Sequence, residues 1–269
     1  MPELPEVETT KNGLLPLIKN QTVTKAIRHR DNLRWEIPAH LRTTLANQTV
    51  IDINRRGKYL LIEFKVGTLI IHLGMSGSIK VVSSDELLLK HDHFELIFDN
   101  DKSMRLNDPR RFGAVLFSAD GLHPLLDSLG VEPLEVLFDE TYLYVRSRKK
   151  QQNIKAFIMD SKVVVGVGNI YACESLFTCG IDPQHKAGGV SKKRYQLLTQ
   201  HIKTILAKAI KAGGTTLQDF SQVDGSPGYF TQTLNVYGRE GKLCPTCDGK
   251  ISRIIQNQRS TFYCPICQT

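Results

Sequence analysis

Apolar and polar positions alternate in two textures along the 269-residue chain. At the start, Leu4, Val7, Leu14 and Leu17 recur at helical spacing, Pro5 suits a first turn, and Glu6 and Glu8 complement the helix dipole. This predicts a helix over residues 2–19. From about 21 to 118 the pattern shortens to strand length. Thr22–Ile27, Thr49–Ile53, Tyr59–Phe64, Thr68–His72, Ser78–Val82, Phe94–Phe98 and Ala114–Phe117 are brief, and many carry β-branched or aromatic residues. Turn signals separate them and no long helix intervenes, which favours an antiparallel sandwich over βαβ units. After Gly130 the texture turns helical. A linker at Glu135–Glu140 leads into patterns near 139–149, 153–160, 169–179 and 191–212, the last closing on Gly213-Gly214. A polar, Gly-rich loop, Ser221–Gly228, precedes a cysteine-rich tail. The fold class is α+β: a helix with an antiparallel β-sandwich, then a helical domain, then a C-terminal hairpin module. There is no internal repeat.

Charge adds a partner class. Thirty-five Lys and Arg against 27 Asp and Glu give a net +8, an excess that favours a polyanion, nucleic acid first and an anionic membrane surface second. The N-terminus is acidic and has no apolar signal core, and no apolar run reaches the ~18 residues needed to span a bilayer. Six cysteines in so long a chain do not make a disulfide scaffold, and a reducing, cytoplasmic setting is expected.

Four of those cysteines form the sharpest spacing signal. Cys244-Pro-Thr-Cys247 and Cys264-Pro-Ile-Cys267 are separated by sixteen residues, which matches a closed, structural four-thiolate Zn2+ site; an iron–sulfur cluster and two disulfides are the competing assignments. So short a tail buries little core, so metal would supply its folding energy. Ile251–Phe262 between the knuckles reads as a β-hairpin with Asn257-Gln258-Arg259-Ser260 at its tip. Arg259 is either a solvated turn residue or a guanidinium aimed at phosphate.

Met1-Pro2-Glu3 carries the reactive candidate. Removal of Met1 would leave a secondary amine, and an α-amino group has a pKa of roughly 7.7–8.0 against about 10.4 for lysine. Such an amine is free enough at neutral pH to attack a carbonyl-like carbon, and proline then forms a permanently charged iminium. Glu3 places a carboxyl beside it for proton transfer. Arg55-Arg56-Gly57-Lys58 is a basic turn in which Lys58 can hold phosphate or move a proton. In Gly74-Met75-Ser76-Gly77 a methionine sits on a Gly-flanked turn, and Asp108-Pro-Arg110-Arg111-Phe112-Gly sets an aromatic beside basic residues; both suit insertion into a base stack. His91-Asp-His93 lacks a third metal ligand, so phosphate contact or packing is the better reading. Gly166-Val-Gly168-Asn169 lacks the third glycine of a dinucleotide loop, yet glycines before a helix N-terminus seat phosphate well.

These motifs closely resemble the formamidopyrimidine-DNA glycosylase family of bacterial base-excision repair. The likeness runs through Met-Pro-Glu-Leu-Pro-Glu-Val-Glu-Thr (1–9), Arg-Arg-Gly-Lys-Tyr-Leu (55–60), His-Leu-Gly-Met-Ser-Gly (72–77), Lys-His-Asp-His (90–93) and Asp-Pro-Arg-Arg-Phe-Gly (108–113). It continues through Val-Gly-Val-Gly-Asn-Ile-Tyr (165–171), Ala-Gly-Gly-Thr-Thr-Leu (212–217), Val-Tyr-Gly-Arg (236–239) and the cysteine tail. The resemblance implies a catalytic β-sandwich domain over 1–131, a helix-two-turn-helix DNA-binding domain over 132–234 and a zinc finger over 235–269. It implies a bifunctional glycosylase/AP lyase acting, as a monomer, on double-stranded DNA with oxidised purines or abasic sites. In that family's chemistry Pro2 attacks C1′, Glu3 is general acid and proton shuttle, Lys58 serves β-elimination, and Arg259 holds phosphate and assists δ-elimination. His91, Arg110, Lys150 and Asn169 would contact DNA, with Arg148 and Lys149 flanking Lys150. Met75, Arg110 and Phe112 would fill the space left by the flipped base, and the loop near 217–228 would cover that base. The alternatives are an endonuclease VIII-like enzyme for oxidised pyrimidines, whose members begin Pro-Glu-Gly-Pro-Glu, and a non-enzymatic zinc-ribbon DNA-binding protein.

Overall fold

The computed structural model describes residues 2–215, Val223 and 230–269. These form two compact units: Pro2–Asp127 with 212–215 and Val223, and Ser128–Lys211 with Phe230–Thr269.

The first unit opens with α1 (Leu4–Ile18), two residues later than the sequence pattern suggests because Glu3 is its extended N-cap. Pro5 in the first turn needs no N–H partner there, and Asn20, with φ of 63°, turns the chain away after the last turn. The elements that follow are β1 (Val23–Arg28), α2 (Leu41–Thr44), β2 (Asp52–Arg56), β3 (Tyr59–Phe64), β4 (Gly67–His72), β5 (Ser78–Ser83), β6 (Asp92–Phe98), β7 (Lys102–Asn107), β8 (Ala114–Ser118) and α3 (Pro124–Asp127). They make two four-stranded antiparallel sheets, ordered β1-β6-β7-β5 and β2-β3-β4-β8. Leu60, Ile62 and Phe64 alternate inward along β3 and meet Phe94, Leu96, Met104 and Leu106 from the other sheet, with Leu14 and Ile18 of α1 in the same core. The expected sandwich is therefore present.

One central strand escaped the hydrophobic pattern. β7 reads Lys-Ser-Met-Arg-Leu-Asn, yet Ser103, Met104, Arg105 and Leu106 are all buried. The polar members are satisfied from the neighbouring strand: the Glu95 carboxylate accepts from Ser103 Oγ at 2.6 Å and from Arg105 Nε at 2.8 Å. A buried ion pair with its hydrogen bonds completed stands in for apolar packing there. The strand expected at Thr49–Ile53 lies three residues later, at Asp52–Arg56.

The second unit contains α4 (Glu140–Ser147), α5 (Ile154–Met159), α6 (Asn169–Thr178), α7 (Lys192–Lys211), β9 (Ser252–Gln256) and β10 (Arg259–Tyr263). Asp139 and Asn153 cap α4 and α5 by accepting from the N–H groups of Tyr142 and Ala156, both at 2.7 Å. Cys173 and Phe177 of α6 pack against Val236, Ile251, Cys244 and Cys264, so the short ribbon borrows its apolar contacts from a helix. Among the described residues no helix is long and apolar enough to cross a membrane.

Candidate active site and nucleic-acid interface

In the first unit, Pro2 and Glu3 are buried at the start of α1. Their position is fixed by Glu6, one helical turn on. Its carboxylate accepts the Glu3 N–H at 2.7 Å and the Thr215 N–H at 2.8 Å. In the sequence Glu6 reads only as a dipole complement; its second bond is invisible there, because Thr215 is more than two hundred residues away along the chain. Glu8 on the same helix pairs with Lys11 and, at 2.7 Å, with Arg55 Nε. Burial raises the Glu8 carboxyl, and the two cations outweigh it to leave the group below its usual range.

Lys58 lies in the two-residue turn between β2 and β3, where Gly57 takes φ of 58°. Its charge reaches His72 at the end of β4. Burial, then the Lys58 and Arg34 charges, push the His72 imidazole down to about 4 against the pull of Asp108. Neutral His72 accepts the Gly74 N–H on Nδ1 at 3.0 Å, which leaves Nε2 as a donor. The sequence marks no role for His72, and its pairing with Lys58 arises only from the β3–β4 register, where Tyr59 stands opposite His72.

Met75 and Phe112 are 38% and 45% exposed, each on a tight loop, and the Arg110 guanidinium lies 5.2 Å from the Phe112 ring centre. Arg110 is exposed, and His91 is partly exposed at the mouth of β6. The Met75, His91 and Arg110–Phe112 segments are therefore neighbours, joined through Asp108: its N–H donates to the His91 carbonyl at 3.0 Å, and its carboxylate accepts from Ser76 Oγ at 2.9 Å.

In the second unit, Asn169 is the first residue of α6, behind the Gly168 cap. Its Nδ2 donates to the Ser260 carbonyl at 2.8 Å and approaches the Tyr237 hydroxyl at 3.5 Å. Lys155, nearly fully buried, donates from Nζ to Thr261 Oγ1 at 2.6 Å and to the Ser260 carbonyl at 3.3 Å. These bonds hold β10 and so aim Arg259, its first residue, which is exposed. The hairpin tip is Asn257-Gln258, both with positive φ (48° and 61°), so Arg259 stands at the foot of the turn rather than on it. Nothing in the sequence singles out Lys155, since a lone lysine on an amphipathic helix looks like any solvated one, and Tyr237 stands in the Val-Tyr-Gly-Arg motif with no role attached to it. Around Lys150 the structure separates three neighbouring cations. Arg148 is consumed internally, donating to the Val190 carbonyl at 2.8 Å and stacking 4.0 Å from the Tyr144 ring centre, whereas Lys149 and Lys150 are exposed.

The sulfurs of Cys244, Cys247, Cys264 and Cys267 lie within 4.8 Å of one another. Individual separations are 3.8 Å for Cys244–Cys267, 3.6 Å for Cys247–Cys264 and 3.4 Å for Cys247–Cys267. A tetrahedron with metal–sulfur bonds of about 2.3 Å has edges of about 3.8 Å, so the cluster fits a four-thiolate metal centre. The Thr246 and Gly249 N–H groups each point at a sulfur at 3.4 Å, further stabilising thiolates. None of the six cysteines is in a disulfide. The expected cover at 217–228 lies outside the described residues except for Val223, which is buried in the first unit's core.

Comparison with known proteins agrees with this arrangement. Residues 1–115 match the formamidopyrimidine-DNA glycosylase N-terminal domain, residues 129–221 its H2TH domain, and residues 241–269 the zinc finger found in FPG and IleRS. The formamidopyrimidine-DNA glycosylase of Ruthia magnifica subsp. Calyptogena magnifica is 72% identical over 269 residues, covering 100% of both chains. That of Alteromonas mediterranea is 51% identical over the same span, again covering 100% of both. Among solved structures, the MutM (FPG) protein from Thermus thermophilus superposes with a TM-score of 0.89 at 34% identity, over 99% of this chain and 98% of that one. MutM in complex with carbocyclic 8-oxo-G containing DNA gives 0.92 at 33%, over 100% of each. The Lactococcus lactis Fpg in complex with abasic-site DNA gives 0.90 at 32%, over 99% of each. A β-sandwich with Pro2 and Glu3 buried at the start of its first helix, a helical unit and a four-cysteine ribbon define a DNA glycosylase. The chain belongs to the formamidopyrimidine-DNA glycosylase family.

Proposed function

We propose that this protein excises oxidised purines, formamidopyrimidines and 8-oxoguanine, from duplex DNA and then cleaves the strand at the resulting abasic site. With Met1 removed, the Pro2 amine attacks C1′ of the damaged nucleotide, the N-glycosidic bond breaks, and the base leaves with its electron pair. Glu3 moves the protons required at the sugar as the ring opens to the iminium. Loss of the C2′ proton to a base then expels the 3′ phosphate, with Lys58 acting at this stage, and a second elimination expels the 5′ phosphate, with Arg259 on that phosphate. The observation that carries the reading is the fixing of Pro2 and Glu3 by buried Glu6, which would order a nucleophile and its proton partner before substrate arrives.

Met75, Arg110 and Phe112 occupy the stack vacated by the everted nucleotide, offsetting the few kcal/mol that unstacking costs. His91, Arg110, Lys150 and Asn169 take backbone contacts, and neutral His72 adds an N–H donor near Lys58. Cys244, Cys247, Cys264 and Cys267 would hold Zn2+ in a closed site, where it would supply folding energy to the ribbon that carries Arg259. Leu4 after Glu3 follows the purine-directed pattern rather than the pyrimidine-directed one. The test is a lesion panel on duplex oligonucleotides: faster cleavage at 8-oxoguanine opposite cytosine than at thymine glycol, leaving phosphate on both flanking ends, is expected. Faster thymine glycol release, or binding without cleavage, would overturn the assignment.

A further inference from the structure

Two exposed apolar tips, Met75 and Phe112, lie on different loops, and a wedge works only if both enter the stack together. What holds them together is Asp108. Asp108 is fully buried and makes five hydrogen bonds. Its N–H donates to the His91 carbonyl at 3.0 Å, and its own carbonyl accepts from the Arg111 N–H at 3.2 Å and from His93 Nε2 at 3.0 Å. Its carboxylate divides between the loops. Oδ1 accepts from Ser76 Oγ, beside Met75, at 2.9 Å, and Oδ2 accepts from the Gly113 N–H, beside Phe112, at 2.8 Å. Ser76 Oγ in turn accepts the Arg110 N–H at 3.3 Å.

The packing leaves no slack. A Cβ on Gly74 would stand 2.4 Å from Gly113 N and from the Phe112 carbonyl carbon, and one on Gly113 would stand 2.9 Å from Asp108 Oδ2. The two backbones therefore touch directly. Arg111 adopts φ of 58°, a left-handed conformation that costs a non-glycine residue free energy and persists only where surrounding contacts impose it.

We propose that Asp108 is a positioning residue for lesion eversion: its buried carboxylate locks the Met75 turn to the Arg110–Phe112 loop, so that the three side chains enter the base stack as one preformed body. The inference rests on the glycosylase reading above. Without the clamp each loop would have to be ordered on the DNA, and that entropy would be subtracted from the energy available for unstacking. The consequence is selective. Excision of a stacked 8-oxoguanine depends on the wedge, whereas cleavage at a preformed abasic site, which has no base to unstack, depends on it far less.

The test compares single-turnover excision from 8-oxoguanine:cytosine duplex with strand cleavage at a preformed abasic site, using Asp108→Ala, Asp108→Asn, Ser76→Ala and Phe112→Ala. Asp108→Ala is expected to slow excision by about 10–100-fold and Ser76→Ala by about 3–10-fold, with abasic-site cleavage within about threefold of wild type. Asp108→Asn should recover most of the rate, because the Ser76 hydroxyl can rotate to accept from the new amide. In a Phe112→Ala background Asp108→Ala should add little, since both act through one wedge. A 2-aminopurine beside the lesion should brighten more slowly in Asp108→Ala and Ser76→Ala. Should Asp108→Ala fail to fold, Ser76→Ala decides the matter. Equal loss of both reactions, unchanged excision, or multiplicative losses with Phe112→Ala would overturn the role of Asp108. A wild-type protein that cleaves neither substrate would instead overturn the glycosylase reading.

Discussion

Glu174→Gln should destabilise the second unit far more than its single-atom change suggests. Glu174 lies on α6 with no exposed surface. Its Oε1 accepts the N–H groups of Val236 and Tyr237 at 2.9 and 2.8 Å, and its Oε2 accepts the N–H and the side-chain amide of Asn235 at 2.9 and 3.1 Å. A glutamine keeps one oxygen for two of these donors and turns an NH2 toward the other two. A buried donor left without an acceptor costs about 1–3 kcal/mol, and the lost charge weakens the bonds that remain. The expected loss is about 3–4 kcal/mol. For a unit of this size that corresponds to a fall in melting temperature of roughly 10–15 °C. The only tryptophan, Trp35, belongs to the first unit, so calorimetry rather than intrinsic fluorescence is the assay, run on zinc-replete protein. A fall of less than about 4 °C would refute the reasoning, because it would mean the 235–237 segment is held by something other than this carboxylate. Tyr237, whose hydroxyl stands beside Asn169, should lose its place with it, so abasic-site binding should weaken in the same variant.

Other outcomes follow from single contacts. The His72 pKa falls from an ordinary 6.5 to about 4 on folding, so between those values the unfolded chain binds a proton that the folded one does not. Stability is then complete above pH 6.5 and declines toward pH 4 by at most about 3 kcal/mol; His72→Gln should flatten that part of a pH–melting curve, and an unchanged slope would contradict the assignment. Arg105→Met should cost about 3–5 kcal/mol by leaving Glu95 buried without its cation, read by urea unfolding; a cost below about 1 kcal/mol would contradict it. Stripping zinc with a strong chelator, or Cys264→Ala, should release one equivalent of metal or prevent its uptake and abolish strand cleavage; full activity in metal-free protein would refute the ribbon's role in presenting Arg259.

Periodicity and turn chemistry make much of this molecule legible in its sequence. The short apolar and aromatic run Tyr59–Phe64, bounded by turn signals, reads as a strand, and the two Cys-x-x-Cys knuckles declare a closed cluster, because each depends on neighbours in sequence. What stayed hidden depends on distant partners. β7 looked polar because Glu95 neutralises its inward Arg105 and Ser103 from another strand. Lys155 carries no mark in the sequence because Thr261, which accepts its ammonium N–H, lies more than one hundred residues away. Asp108 was legible as part of a basic turn, but not as a clamp, since Ser76 and Gly113 flank it from opposite directions in the chain. The candidate nucleophile was legible only as chemistry: the sequence offers an amine at Pro2, while the Glu6 bonds that order it require the folded first unit.

The decisive measurement for Pro2 as nucleophile is borohydride trapping on 8-oxoguanine:cytosine and abasic duplexes, with the adduct mapped by peptide mass spectrometry on protein shown to lack Met1. A reduced covalent complex at Pro2 is expected with both substrates, strongly diminished with 8-oxoguanine alone in Glu3→Gln. No adduct from active wild-type protein, or an adduct mapping to Lys58 or any other lysine, would contradict it.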